Sequence, residues 1–342
     1  MKQIIYKALL LLVITSSQVI FGQIKTDSIR IVEEALKLIA LPEPQFDSPF
    51  MPNPSPKDLA DLGFEQPNTS ETVVFNMKDH VKITAQKYPF LSNKTVILLH
   101  GVLASSYTYN KMSGLIREAL QVEVISIDLR GHGASGGIPG DISKPNQYAE
   151  DLNEIITTIR SDKPHQKIIL VGHSMGGGII LRHSETFPET KIDGYVLFAP
   201  NFGTSSATTN QQIDLKNSFI KSHLSRGLGL KMLNEFGIHQ YDSLKVVFYN
   251  LPKQMPITSY SYRSMNAIYP ENLRSTLKRI VAPFITLVGK EDEVFIAEEY
   301  PILIKSYSNG DCYLIKNETH NGIRHNEEAM NKIREWSIKN GL

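Results

Sequence analysis

Cysteine is nearly absent: Cys312 is the only one in 342 residues. That excludes an intramolecular disulfide, and it excludes a lipidated cysteine at a processed N-terminus. An excess of charge of one sign is also missing, since 36 lysines and arginines face 35 aspartates and glutamates. No global field therefore draws the chain to nucleic acid or to an anionic membrane surface. No repeat of fixed period is evident. The only biased tract is LPEPQFDSPFMPNPSPK, from Leu41 to Lys57, whose proline density forbids a helix interior or a central strand and predicts an extended arm or plain linker. With 41% apolar and 21% charged residues, the rest has the composition of an ordinary globular protein.

Long apolar runs are missing too, with one short exception. Lys2 and Lys7 precede an apolar stretch from Ala8, and the next charge is Lys25. Ala8 to Gly22 would make about 22 Å of helix against a hydrocarbon core of ~30 Å, too short for a stable transmembrane anchor. Residues 1–22 read as a secretory signal peptide, cut after Ser17 or Gly22, which predicts export to a periplasm or to the medium.

What is present is an alternation. A helix is expected around Ser28 to Ile39, followed by the arm, so that residues 23–70 precede the body. TVVFNM and VKITAQ flank Lys78-Asp79-His80 as a hairpin. Short apolar, β-branched runs then recur at 95–100, 122–128, 167–172, 195–200, 284–289 and 312–316, with helical patterns at 109–120, 146–160, 176–187, 297–306 and 325–340. Strands alternating with helices predict an α/β fold with a mostly parallel sheet covered on both faces. The alternation lapses between Pro200 and about Val281, which predicts a helical cap inserted at 201–280 between core segments 71–200 and 281–342.

The segment LVGHSMGGG, residues 170–178, places Ser174 between glycines directly after an apolar strand. G-x-S-x-G is the spacing of a nucleophile held on a tight strand-to-helix turn, where glycines two before and two after leave room for the crossing backbones. A serine nucleophile needs a base, and the base an orienting carboxylate. Asp292 and His320 each follow a predicted strand end, so a parallel sheet brings both to the edge that carries Ser174. Glu291 and Glu293 adjoin the acid, and His325 is the rival base at the expected start of the last helix. The backbone N–H groups of Met175 and of Val102, in HGVLASS, are the candidate oxyanion-hole donors, with Leu103 as the alternative to Val102.

His100-Gly101, DLRGHGASGG from Asp128, GHSMGG from Gly172, Gly289 to Asp292, and His320 together resemble a serine hydrolase of the α/β-hydrolase superfamily. The pattern is nearest its monoglyceride-lipase and lysophospholipase branch, which overlaps the serine aminopeptidases, and covers Thr72 to the C-terminus. One departure is Thr319, where the family usually has glycine before the histidine. The resemblance implies acyl transfer to water through an ester on Ser174, with no metal or organic cofactor, and a structural rather than catalytic turn from Asp128 to Ser135.

The cap should choose the substrate. From Asn201 to Pro270 it holds seven basic residues and three acidic ones, which disfavours binding an aminopeptidase substrate's ammonium group. Its apolar residues, among them Phe202, Leu228, Leu230, Leu233, Phe236 and Tyr260, could line an acyl tunnel or simply pack the cap onto the body. The reading is an exported hydrolase of lipid-like carboxylic esters, such as monoacylglycerols or lysophospholipids. A serine aminopeptidase and a non-catalytic binding protein of the same fold are the alternatives.

Overall fold

The computed structural model describes residues 27–48, 54–210 and 219–342, so the expected signal peptide lies outside the described residues. Residues 27–39 form helix α1. The end of the expected arm is helical rather than extended, because Pro56–Leu62 form a short helix, α2. Pro56 sits in its first turn, where a missing N–H costs nothing, and Ser55 and Asp58 cap it reciprocally.

Strands β1 (Glu71–Asn76) and β2 (Lys82–Tyr88) make the expected antiparallel hairpin. The parallel strands are β3 (Lys94–Leu99), β4 (Glu123–Ile127), β5 (Lys167–His173), β6 (Gly194–Phe198), β10 (Phe284–Gly289) and β11 (Asp311–Ile315); the intervening numbers belong to the cap. With the hairpin at one edge they form an eight-stranded sheet in the order β1-β2-β4-β3-β5-β6-β10-β11. This is the α/β-hydrolase arrangement read from the sequence.

Alternation along the strands splits the core. Ile97, Leu99, Ile168, Leu170 and Leu197 point to one face, where they meet α4 (Gln147–Asp162) and α5 (Met175–Thr186). Val96, Leu98, Ile169, Val171, Val196 and Phe198 point to the other, against α3 (Asn110–Leu120) and α10 (Glu327–Lys339). Each such side chain contributes about 1.5–3 kcal/mol on full burial. Two-sided burial therefore fixes the strand register, since a one-residue slip would exchange the faces.

The insertion is mixed rather than purely helical. It carries α6 (Leu224–Glu235), α7 (Tyr262–Asn266) and α8 (Leu273–Arg279), but also an antiparallel sheet of β7 (Ile220–Ser222), β8 (Lys245–Tyr249) and β9 (Ser259–Ser261). Strands of three to five residues carry too little periodicity to stand out in the sequence. The cap has its own core of Leu230, Leu233, Val246, Tyr249 and Tyr260, and Ala35 and Ile39 of α1 belong to it. The N-terminal segment continues across the cap: Arg226 bonds to the carbonyls of Ile39 and Leu41 and to the Glu43 carboxylate, and Lys221 to the Gln45 carbonyl.

Candidate active site

Ser174 lies between β5 and α5 with φ 53° and ψ −116°. A non-glycine residue in that left-handed region stores on the order of 1–3 kcal/mol, so its surroundings must hold it there. They do so through Ser174 N–H to the Phe198 carbonyl at 2.9 Å and the Ser174 carbonyl accepting from Asn201 at 2.9 Å. The flanking glycines are required by close approach. A Cβ on Gly172 would fall 2.6 Å from the Gly176 carbonyl carbon, and one on Gly176 would fall 2.3 Å from the Leu99 oxygen.

Asp292 follows β10 and its side chain is fully buried. One carboxylate oxygen accepts the N–H groups of Val294 and Phe295, both at 2.8 Å, and the other meets His320 Nδ1 at 2.8 Å. A carboxylate can only accept here, so Nδ1 carries a proton, and it is Nε2 that keeps the lone pair in the neutral ring. The expected acid and base are thus in contact, whereas neither Glu291 nor Glu293 makes a hydrogen bond to the ring among the described residues. Glu293 has another task, accepting the His320 N–H at 3.0 Å. In place of the usual glycine, Thr319 closes the turn by accepting the Gly322 N–H through its hydroxyl at 3.0 Å. His325 does not begin α10: it ends a 3-10 turn from Gly322, and Asn326 caps the helix instead.

The elbow and the His320 loop are joined by His173. Its Nε2 donates to the His320 carbonyl at 2.8 Å, and the two rings are 4.7 Å apart. The proton on Nε2 leaves Nδ1 as an acceptor, which takes the Tyr109 hydroxyl at 2.6 Å; Tyr109 in turn accepts the Gly101 N–H at 2.9 Å. Burial holds the His173 imidazole far below its ordinary pKa, so this neutral arrangement is the stable one. Ser174 has no hydrogen bond to His320 among the described residues, an open geometry usual before a substrate arrives.

Gly101 also brings the loop after β3 against the elbow, since a Cβ there would lie 3.4 Å from that of Ser174. Within this loop the Gly101 N–H is given to Tyr109 and the Leu103 N–H to Tyr260 at 2.9 Å. Leu103, the alternative oxyanion donor, is therefore engaged elsewhere. The Val102 N–H has no partner among the described residues, and the Met175 N–H belongs to the first turn of α5, where helix donors are left over. Two unengaged amides beside a serine can receive a developing oxyanion.

Asp128 spends its carboxylate on the Ser106 and Ala134 amides, and Arg130 pairs with Asp151 and Asp79. These are structural contacts. The basic excess of the cap is also largely consumed: Arg226 and Lys221 hold the N-terminal segment, Arg263 pairs with Asp141, and Lys245 reaches the Pro139 and Gly140 carbonyls. Of the apolar cap residues, Leu230, Leu233 and Tyr260 are buried in packing, while Leu228 and Phe236 face outward. Sequence reasoning missed Tyr109 and His173 as members of the site, gave Glu293 no part beyond adjoining the acid, and offered Tyr260 for an acyl tunnel or for packing rather than for the loop after β3. Only His173 lay inside a recognisable motif. Among the described residues no cluster of His, Cys, Asp and Glu could hold a metal ion, and no helix is long and apolar enough to cross a membrane.

A serine on a strand-to-helix elbow beside a buried Asp–His pair, on this sheet, defines an α/β-hydrolase-fold serine hydrolase. The family model described as serine aminopeptidase, S33, matches residues 92–325, and the chain belongs to that family. Monoglyceride lipase of Rattus norvegicus is 24% identical over 246 residues, covering 70% of this chain and 78% of the lipase. A monoacylglycerol lipase of Mycolicibacterium smegmatis is 31% identical over 93 residues, 27% of this chain and 33% of that protein. Among solved structures, an esterase of Pyrococcus furiosus superposes with TM-score 0.55 at 20% identity, covering 87% of this chain and 97% of that one. The chain is thus an α/β-hydrolase of the serine aminopeptidase, S33, family that resembles monoglyceride lipase.

Proposed function

We propose that the protein hydrolyses lipid-like carboxylic esters, of the monoacylglycerol or lysophospholipid kind, through an acyl-enzyme on Ser174. The observation that carries this reading is the buried Asp292 carboxylate bonded at 2.8 Å to His320 Nδ1, beside a serine held at φ 53°. Ser174 Oγ adds to the ester carbonyl while His320 Nε2 takes its proton, and the resulting oxyanion is received by the Val102 and Met175 N–H groups. Collapse expels the alcohol, which leaves with the proton from His320. Water then adds to the acyl-enzyme by the same route, releasing the carboxylic acid and restoring Ser174. Asp292 holds the ring in the tautomer that can accept. The proposal includes a reaction outside the cytoplasm, and what supports that part is the export-signal pattern of residues 1–22.

An ester series against aminoacyl amides tests the substrate class. Lengthening the acyl chain from two to about eight carbons should raise kcat/KM about tenfold to a hundredfold, since six methylenes at about 0.8 kcal/mol each are only partly buried. Alanyl and prolyl amides should be poor substrates. A flat ester series with efficient amide cleavage would replace this reading with an aminopeptidase.

A further inference from the structure

The cap contributes one residue to the shape of the oxyanion loop. Leu103 has φ 58°, a left-handed conformation that a leucine adopts only under constraint. The constraint is a hydrogen bond at 2.9 Å from its N–H to the hydroxyl of Tyr260, a residue 157 positions away on β9. Tyr260 is fully buried, and its hydroxyl also lies 2.9 Å from His132 Nε2.

The direction of each bond in this chain is forced. His132 Nδ1 is 3.0 Å from the Arg130 carbonyl, which can only accept, so Nδ1 carries the proton. Nε2 is then an acceptor and takes the Tyr260 proton, which leaves the tyrosine oxygen free to accept from Leu103. Burial pushes His132 down to about 3, so this direction survives across the working pH range. The rings of His132 and Tyr260 are stacked at 5.8 Å. The segment that carries Tyr260 is tied to the body: Ser261 N–H bonds to the Gly140 carbonyl at 2.9 Å, and Arg263 reaches the Asp141 carboxylate at 2.7 Å.

Tyr109 holds the Gly101 N–H from the core side, and Tyr260 holds the Leu103 N–H from the cap side. The amide between them is Val102. We propose that Tyr260 is a positioning residue for the oxyanion hole, acting through Leu103 to aim the Val102 N–H, so that the base of the cap sets transition-state stabilisation without touching substrate. Tyr260 thus packs in the cap core through its ring and acts on the oxyanion loop through its hydroxyl.

This rests on the acyl-enzyme reading above, and the test separates the two. The unaltered protein, Tyr260→Phe and His132→Gln are compared for kcat and KM on a soluble medium-chain ester, for labelling by an alkyl fluorophosphonate, and for inhibition by an alkyl trifluoromethyl ketone, whose hemiketal oxyanion occupies the hole. Loss of a whole oxyanion donor costs about a hundredfold to a thousandfold in kcat, so a misaimed one in Tyr260→Phe should cost about tenfold to a hundredfold with KM little changed. Ketone affinity should fall in the same proportion. His132→Gln, which leaves Tyr260 in place without its ring acceptor, should shift both quantities in the same direction by less, and it serves alone if Tyr260→Phe does not fold. Unchanged kcat and ketone affinity in a folded variant, with the unaltered protein labelled on Ser174, would overturn the proposal and leave the acyl-enzyme reading intact. An unaltered protein that neither turns over esters nor labels would overturn the acyl-enzyme reading itself.

Discussion

The parallel core and the cap hold their polar groups in different ways. In the core, Ser174, Asp292 and His320 follow strand ends of one sheet, and each is fixed by backbone bonds within a few residues of a strand. In the cap, three short antiparallel strands are held by side chains reaching to other segments: Arg226 to the N-terminal segment, Arg263 to Asp141, Tyr260 to Leu103. The core can therefore be damaged chemically without unfolding. The cap is exposed to loss of stability, with chemistry affected only where it touches the oxyanion loop.

The sharpest break in that contrast is chemical. Ser174→Ala should lower kcat by about 10⁵-fold or more while thermal unfolding is unchanged or slightly higher, because the elbow is already built and alanine relieves no contact that holds it. His320→Ala should be comparable, read by the same ester assay and melting curve. Asp292→Asn should cost about 10³ to 10⁴-fold, since the amide fills the space but favours the wrong imidazole tautomer.

Acid should attack the joint between the two regions. Burial depresses His100 to about 4 and His132 to about 3, against 6.5 in the unfolded chain. Below pH 6.5 the unfolded chain therefore takes up protons that the native one refuses, and stability falls as pH falls, down to about 4 for His100 and about 3 for His132. At pH 5 each of these histidines should cost about 2 kcal/mol, seen as a lower urea midpoint than at pH 7. A midpoint that does not move would mean that these rings are already protonated in the fold.

Smaller effects should sort by region. Arg226→Ala removes the side-chain partner of the Ile39 and Lys245 carbonyls and leaves Leu41 with His223 alone, and it should cost about 1–3 kcal/mol, with faster proteolysis at 41–48 but near-normal kcat on a short ester. His325→Ala should be the mildest. Its buried ring nitrogens have no hydrogen-bond partner among the described residues, Asp292 included, so activity should stay within about threefold.

The core was legible in the sequence because two-sided burial writes continuous apolar runs, and because G-x-S-x-G is a steric requirement that glycines at 172 and 176 must meet. The cap was less so. Strands such as Ile220–Ser222 are too short to show a period, and α2 hid inside a proline-rich tract because Pro56 falls at the one helical position that tolerates it. Tyr109 and Tyr260 reach the loop 101–103 from positions with no spacing rule to announce them. Long-range side-chain bonds leave no local signature.

The most direct test of the central claim is to follow ester turnover while an alkyl fluorophosphonate titrates the protein, mapping the adduct by mass spectrometry. The account predicts one adduct, on Ser174, forming in step with the loss of turnover, and none in Ser174→Ala. Turnover that persists after Ser174 is fully phosphonylated, or inactivation with the adduct on another residue, would contradict it.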